Sequence, residues 1–321
     1  MERLLSSLSP SFFAILKRNI ESQLQDSLLF PKCTQMLSNL PPNLLTHKRT
    51  IEDVYDILTK NPNIKQVTIR SYVSEFSDKP ILSLWKKKFP FIVSEEPDVM
   101  YMSYYLPVES DGNVYEIHKQ SNQWWRRFIN KPLNLKQRIE PESCQIYYHP
   151  TLLDTSESCQ ESYVVEKTWL ESFSYGPAEI PKSIICNAKS NNSCFYTFLV
   201  DSFSSVENYE FLMLHHKFVP IQTSVVVSKD TVALDKLSTI KDEIINELLH
   251  ENITFELNDE CSSKNAYLSN DRKGVPFSII LNDETCSNGI AFIRDRNTHL
   301  VEQVNYKTIV DFLKLNLFFR T

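Results

Sequence analysis

The chain has 321 residues, 42% of them hydrophobic, and a formal net charge of −6 at pH 7. This length and apolar content are enough to bury large cores and indicate roughly two domains. No apolar run approaches the roughly 20 residues of a membrane-spanning helix, which argues against an integral membrane protein. The acidic balance argues against a protein coated in positive charge, but it leaves room for one local basic surface.

The cysteines argue against a disulfide framework or a zinc site. There are seven, an odd number, and no two form a Cys-x-x-Cys pair. Small disulfide-rich proteins usually have even counts, and zinc sites usually have close pairs. The sequence therefore predicts reduced thiols in a reducing compartment, with no metal and no cofactor.

Residues 1–25 allow two interpretations. Within the first 20 residues there are three basic side chains, four serines and a single acid, a composition acceptable for a mitochondrial transit segment. The alternative is an ordinary first helix of the folded protein. Four apolar residues could share one face of such a helix, with Pro10 as an interruption: Leu5, Leu8, Phe12 and Leu16.

Residues 26–218 predict short helices followed by strands. A helix is predicted over 51–58 and ends at Asn61-Pro62. Aromatic and β-branched runs then predict strands, with few helix-length patterns between them, which favours an antiparallel sheet. These strand predictions cover 99–106, 145–148, 162–165 and 193–200. The segment 203–217 predicts a further helix.

A local reversal of charge occurs between residues 119 and 138, which contain six basic residues and no acid: Lys119, Arg126, Arg127, Lys131, Lys136 and Arg138. In a helix, Trp124 or Trp125 would bury one face together with Phe128, while the arginines point outwards. Such a surface could contact phosphates in a salt-dependent manner without reading sequence. The alternative is a structural helix whose arginines pair with nearby carboxylates.

Residues 219–321 form the clearest domain. Strands over 221–227 and 253–257 alternate with an amphipathic helix and a polar helix, and the order βαβαββα predicts a mixed sheet. The runs 275–281 and 290–293 flank a polar turn that closes on Asn288-Gly289. Because both residues tolerate a positive φ, the pattern predicts a tight hairpin. A final helix is predicted over 306–317.

The glycines argue against nucleotide chemistry. The four glycines are Gly112, Gly176, Gly274 and Gly289, and no two of them are close in sequence. A loop that cradles phosphates needs clustered glycines so that the backbone can approach the ligand. An ATP-dependent ligase is therefore not expected. The pair His215-His216 has no evident third ligand for a metal.

Four motifs occur in a specific order. They are the helix Trp-Trp-Arg-Arg-Phe at 124–128, the strand with Tyr147-Tyr148, the element Val-Asp-Ser-Phe at 200–203, and the C-terminal domain whose second hairpin strand ends Arg294-Asp295-Arg296. This order resembles the accessory-subunit family of mitochondrial DNA polymerase gamma, whose members derive from class II aminoacyl-tRNA synthetases. The last domain resembles the anticodon-binding domain of glycyl-, prolyl- and histidyl-type synthetases. The resemblance covers roughly residues 120–321.

The resemblance implies a fold and a function. The expected fold is an α+β, class II synthetase-like antiparallel domain without its ATP site over 26–218, followed by an α/β anticodon-binding-like domain over 219–321. The implied protein is a non-catalytic processivity factor in the mitochondrial matrix. It would bind the catalytic subunit and duplex or primer-template DNA in mitochondrial DNA replication. Some members of the family form homodimers through an inserted helical hairpin.

Partner contact is expected at the C-terminal hairpin, through Gly289, Arg294 and Arg296. The alternative is that the arginines pair inside the domain with Asp295, Asp283 or Glu284. Two other functions stay open: a tRNA-binding module, and a glycyl- or prolyl-type synthetase, which the scarcity of glycine disfavours.

Overall fold

The fold is taken from a computed structural model. It describes residues 1–26, 34–38, 48–61, 63, 66–73, 98–105, 112–140, 143–148, 168–175, 185–206, 209–228, 231–232, 234–258 and 263–318. The chain forms two compact units, Ile20–Asp201, and Met1–Asn19 with Ser202–Thr321. No helix among the described residues is long and apolar enough to cross a membrane.

A seven-stranded sheet organises the unit Ile20–Asp201. Its strand order is β1-β2-β3-β7-β6-β5-β4, and every neighbouring pair is antiparallel except β1 and β2. The antiparallel sheet expected from the sequence is confirmed. The strands are β1 (Thr34–Ser38), β2 (Gln66–Val73), β3 (Asp98–Tyr105), β4 (Leu135–Glu140), β5 (Ser143–Tyr148), β6 (Thr168–Tyr175) and β7 (Ile185–Ser190). The predicted strand at 162–165 lies outside the described residues.

The helices at the start of the chain are packed. Helix α1 spans Glu2–Leu5, and α2 spans Pro10–Asp26. Pro10 is the first residue of α2, a position where its missing N–H costs no hydrogen bond. All four apolar residues that were expected to share a face are buried. The segment therefore packs as ordinary helices, and a targeting role for it stays a prediction.

Three further helices among the described residues lie between or after the strands of this sheet along the chain. Helix α3 spans Lys48–Lys60 and ends before Asn61, as predicted. Helix α4 spans Gly112–Phe128 and carries the tryptophan pair. Helix α5 spans Asn191–Ser202, where the sequence predicted a strand. That prediction was wrong because all residues from 193 to 199 are buried. When every side of a segment is buried, periodicity cannot separate a helix from a strand.

The predicted helix over 203–217 was also wrong. Strands β8 (Phe203–Val206) and β9 (Tyr209–Leu212) form an antiparallel pair instead. Phe203 lies opposite Leu212, and both side chains are buried. This cross-strand contact outweighs the helical spacing of the apolar residues.

A five-stranded mixed sheet forms the core of the C-terminal region, in the order β11-β10-β12-β13-β14. β10 is parallel to β11 and β12, and the remaining pairs are antiparallel. The predicted mixed sheet is confirmed, with one added edge strand. The elements are β10 (Thr223–Val227), α6 (Leu234–His250), β11 (Phe255–Asn258), α7 (Ser263–Arg272), β12 (Phe277–Leu281), α8 (Asp283–Asn288), β13 (Ile290–Asp295), β14 (Val301–Asn305) and α9 (Ile309–Phe318).

The connection between β12 and β13 is a short helix rather than a two-residue turn. Asn282 begins α8: its side chain accepts a hydrogen bond from Thr285 N at 3.2 Å, and its own N–H donates to Thr285 Oγ1 at 3.2 Å. This reciprocal capping fixes a helical start. Gly289 follows α8 with φ 75°, so its predicted positive φ is confirmed. The tight turn was wrong because Asn288 is the last residue of the helix.

The two faces of the C-terminal sheet differ in chemistry. One face is apolar and packs against α6 and α9 through a cluster that includes Val225, Ile279 and Ile293. The other face carries a row of paired polar residues, Ser224, Ser278 and Arg294. The polar helix α7 covers this row, and Asn270 Nδ2 donates to Ser278 Oγ at 2.9 Å. The domain therefore has a buried polar layer whose hydrogen bonds must be made inside it.

Alanine should cost more at Gly274 than at Gly289, although both glycines have a positive φ. A Cβ at Gly274 would lie 3.2 Å from both Leu212 O and Leu214 Cδ1, whereas at Gly289 the nearest atom is 3.7 Å away. Both variants bear a left-handed backbone cost of about 1 kcal/mol. Gly274→Ala should therefore lower the melting temperature further than Gly289→Ala, and Gly289→Asn should be nearly neutral. Equal shifts for the two alanine variants would contradict the close approach at Gly274.

Candidate nucleic-acid and partner interfaces

The end of helix α4 is fixed by its aromatic residues. Trp125 is fully buried, Phe128 is buried, and Trp124 is partly buried. The ring centroids of Trp125 and Phe128 lie 5.7 and 6.2 Å from that of Phe198 on α5. Lys189 is buried with Nζ 4.8 Å from the centroid of Trp124, a cation–π contact. These contacts confirm the predicted buried face, and they give Trp124 a packing role inside the unit.

The arginines of α4 lie on the opposite, solvent-facing side. Arg126 and Arg127 are both exposed, and Arg126 Nε donates to Asn122 Oδ1 at 3.0 Å. In the part of the chain that the structure describes, neither arginine forms a salt bridge with a carboxylate. The alternative, in which these arginines pair with nearby carboxylates, is therefore not supported by any acid among the described residues. These two guanidinium groups are available to an external anion.

The other basic residues of the cluster lie around the same helix end. Lys119 is exposed on α4, and Lys131 is partly buried just beyond its last residue. Lys136 and Arg138 belong to β4, and their side chains lie outside the described positions. The structure therefore places four of the six predicted DNA-binding residues on α4 or immediately after it. A DNA-binding role for the set stays a prediction.

Asp201 fixes the chain where it leaves α4. Its carboxylate is buried and accepts hydrogen bonds from Asn130 N at 2.6 Å, Asn130 Nδ2 at 3.0 Å and Lys131 N at 3.1 Å. Bonds to an ionised acceptor are stronger than neutral ones, so the loop is held firmly. Asp201 belongs to the Val-Asp-Ser-Phe element, so this element is joined to the loop that follows the Trp-Trp-Arg-Arg-Phe motif. Sequence reasoning missed this role; the signal was an acid at the end of an otherwise apolar run.

Arg294 lies inside the C-terminal domain and is only 8% exposed. Its two terminal nitrogens donate to Asp271 Oδ1 at 2.7 Å and Oδ2 at 2.8 Å, and Tyr209 Oη donates to Oδ2 at 2.8 Å. Arg294 Cζ also lies 4.8 Å from the centroid of Tyr267. Burial opposes the charge on Arg294, but Asp271 outweighs it, so the pKa of Arg294 is raised. Burial and then the charge of Asp271 raise the pKa of Tyr209.

Arg296 is only 3% exposed. It donates to the carbonyl oxygen of Gly274 and, at 2.9 Å, to that of Leu214, so it ties the segment after β9 to the turn after α7. Burial lowers the pKa of Arg296 to about 10, and the group stays charged at neutral pH.

The arginines of the predicted partner contact therefore serve the domain itself. The acid that binds Arg294 is Asp271, and the sequence had suggested Asp295, Asp283 or Glu284. Arg294 and Arg296 are buried, and their hydrogen bonds hold the end of the hairpin in shape. Gly289 is partly exposed at the other end of β13. Contact between the hairpin and a partner stays a prediction.

The remaining candidates from the sequence lie at two places in the unit that contains the C-terminal sheet. The ring centroids of His215 and His216 lie 4.1 Å apart, and His215 Nδ1 accepts from Lys217 N at 3.3 Å. Asp283 and Glu284 lie in the first turn of α8, where negative charge favours the helix. Over the described positions, no three His, Cys, Asp or Glu side chains cluster in a way that could hold a metal ion.

Comparison with known proteins identifies the class of the C-terminal domain. Residues 222–316 match the family described as "Anticodon binding domain", in agreement with the mixed sheet over this region. The region is thus of the kind found in aminoacyl-tRNA synthetases. Over 122 residues the chain is 30% identical to glycine–tRNA ligase of Methanocaldococcus jannaschii. The matched region covers 38% of this chain and 21% of that protein.

A second relative matches a larger part of the chain. It is "DNA polymerase subunit gamma-2, mitochondrial" of Drosophila melanogaster, 23% identical over 231 residues, which covers 64% of this chain and 63% of the relative. The resemblance to the polymerase gamma accessory subunit is confirmed. The chain spans less than two thirds of the length of either relative.

Proposed function

We propose that this chain is a non-catalytic processivity subunit of mitochondrial DNA polymerase gamma. In this role it binds the catalytic subunit in the mitochondrial matrix and strengthens the hold of that subunit on primer-template DNA. The carrying observation is the extent of the similarity to the Drosophila polymerase subunit. The anticodon-binding match covers only residues 222–316, so a 231-residue similarity must extend well upstream of it. The similarity to the ligase is about half as long.

The electrostatics of α4 support a DNA-binding surface on this subunit. The chain as a whole is acidic, yet 119–138 contains no acid, and two of its arginines are exposed without a carboxylate partner among the described residues. Such groups bind phosphates by releasing condensed counterions, which gives affinity without sequence preference. A processivity factor needs this property because it must bind wherever the polymerase moves.

The absence of an ATP-dependent reaction is also part of the proposal. The four glycines lie far apart in sequence, so a glycine-rich loop for phosphates cannot be built from them. The C-terminal domain is proposed as the main contact for the catalytic subunit. In this proposal the hairpin that contains Gly289 contacts the partner, and the hydrogen bonds of Arg294 and Arg296 hold the hairpin in shape.

A second candidate function is tRNA binding, with or without aminoacylation. It is favoured by the 30% identity to a glycine–tRNA ligase and by the anticodon-binding domain. Two results would support it: glycine-dependent or proline-dependent pyrophosphate exchange, and tight, specific binding of tRNA without association with a polymerase.

The test is primer extension on a long single-stranded template with the mitochondrial catalytic subunit of the same organism. Products are measured at moderate salt, with and without this chain, under a trap that limits the polymerase to one binding event. Longer products, together with co-elution of the two proteins, are expected. Unchanged product length without co-elution would contradict the proposal and favour the tRNA-binding function. Sedimentation of the complex gives the number of copies of this chain, and hence tests a homodimer.

A further inference from the structure

The loop after α4 presents a large apolar side chain to solvent. Leu133 is 85% exposed and lies in the 3-10 turn Pro132–Asn134. Single exposed leucines are common on protein surfaces and by themselves indicate nothing. This one is distinguished by how rigidly its loop is held and by the charge that precedes it.

The loop is anchored on both sides of Leu133. Before it, the backbone N–H groups of Asn130 and Lys131 donate to the buried carboxylate of Asp201. After it, Asn134 is buried, and its N–H donates to Lys131 O at 2.9 Å. Pro132 restricts the backbone further. Leu133 is therefore held in the exposed position, and little conformational entropy is lost when it contacts a ligand.

The chemistry around the loop indicates the ligand. The exposed Arg126 and Arg127 precede Leu133 by only six or seven residues, a span of at most about 25 Å. No acid occurs between residues 119 and 138, so the ligand of complementary charge is a polyanion. Apolar groups on a polyanion are found on nucleic acids, as the sugar C–H groups and base edges of the grooves.

We propose that Leu133 is a nonpolar contact to the sugar wall of duplex DNA and that it favours DNA over RNA. This rests on the proposed DNA-binding function of the α4 surface. In that complex Arg126 and Arg127 contact phosphates, while Leu133 lies against deoxyribose in the groove. The corresponding surface of an RNA duplex displays 2′-hydroxyl groups, which an apolar side chain would desolvate without a hydrogen bond in return.

The test compares Leu133→Ser with Leu300→Ser, a matched change at another exposed leucine (64% exposed). Affinities for a DNA duplex and an RNA duplex of the same sequence are measured at several salt concentrations. Leu133→Ser should weaken DNA binding by about tenfold, the loss expected for one buried leucine contact. It should not weaken RNA binding, because the leucine gains no favourable contact there. It should also leave the dependence of log K on log salt unchanged, because no charge is altered. Leu300→Ser should change none of these quantities.

The double variant Arg126→Glu/Arg127→Glu separates this inference from the proposed function. If it weakens DNA binding while Leu133→Ser does not, the α4 surface binds DNA and the leucine contact is wrong. If neither variant affects DNA binding, the DNA-binding part of the proposed function fails as well. Equal weakening of DNA and RNA by Leu133→Ser would overturn the contact to deoxyribose. Reduced processivity at unchanged DNA affinity would also overturn it and identify Leu133 as a protein contact.

Discussion

Reversal of three charges at the end of α4, Arg126→Glu, Arg127→Glu and Lys131→Glu together, is expected to weaken duplex-DNA binding by about 100-fold or more near 0.1 M salt. Each phosphate that the variant no longer neutralises reduces the number of released counterions by about one. The slope of log K against log salt should therefore become shallower by about three. Binding of the catalytic subunit should persist, because the proposed interface with that subunit lies in the C-terminal domain.

A control with the same change in net charge separates a local effect from general repulsion. Lys217, Lys236 and Lys264 are all exposed in the unit that contains the C-terminal sheet. Their triple replacement by glutamate changes the net charge by the same amount but alters none of the proposed DNA-binding residues, and it should reduce affinity only slightly because salt screens general repulsion. Fluorescence anisotropy with a labelled duplex from about 50 to 200 mM salt gives affinity and slope together. Equal losses in both triple variants would contradict a specific DNA surface on α4.

Sequence periodicity predicted the parts of the fold in which one face is buried and the other exposed. Helix α6 is an example: Leu237, Ile244 and Leu248 are buried at helical spacing among polar residues. Periodicity failed where a segment is buried on all sides or exposed on nearly all of them. Helix α5 is buried on all sides, and β14 is exposed at all but one of its five residues. Neither element therefore has one apolar and one polar face that would give a periodic pattern.

The candidate sites show a similar limit. The sequence revealed the basic cluster because its charged residues lie close together along the chain. It did not reveal Asp201 or Asp271, whose partners are about 70 and 23 residues away in sequence. Buried polar contacts depend on which elements meet in space, and one sequence read in short windows does not contain that information. For the same reason the sequence did not reveal that the guanidinium groups of Arg294, in β13, and Arg296, just after it, form hydrogen bonds inside the domain.

The ion pair under helix α7 provides the largest expected effect on stability. Asp271→Ala should destabilise the unit that contains the C-terminal sheet by about 3–5 kcal/mol. The change leaves the guanidinium of Arg294 buried without its carboxylate and removes the acceptor of the Tyr209 hydroxyl. It therefore disturbs β13, α7 and β9 at the same time. Tyr209→Phe removes only one hydrogen bond and should cost about 1 kcal/mol.

A double variant distinguishes a buried unpaired charge from a loss of packing. Asp271→Ala combined with Arg294→Met removes both charges and keeps an apolar side chain of similar length. It should be more stable than Asp271→Ala alone, since no uncompensated charge stays in the interior. The double variant is compared with Asp271→Ala and Arg294→Met alone. If its loss of stability equals the sum of the two single losses, the pair acts through packing and the electrostatic argument is wrong.

Hydrogen exchange can read this effect in the correct unit. No tryptophan occurs in Met1–Asn19 or Ser202–Thr321, so tryptophan emission does not report the unit that contains the C-terminal sheet. Amides of β12 and β13 report the unit that contains the C-terminal sheet, and Asp271→Ala should lower their protection by about 100-fold or more, the equivalent of 3 kcal/mol.

If the hairpin contacts the catalytic subunit as proposed, Asp271→Ala should also weaken that association while the affinity of α4 for DNA is kept. Loss of DNA binding with unchanged polymerase association would invert the proposed division of roles between the two surfaces.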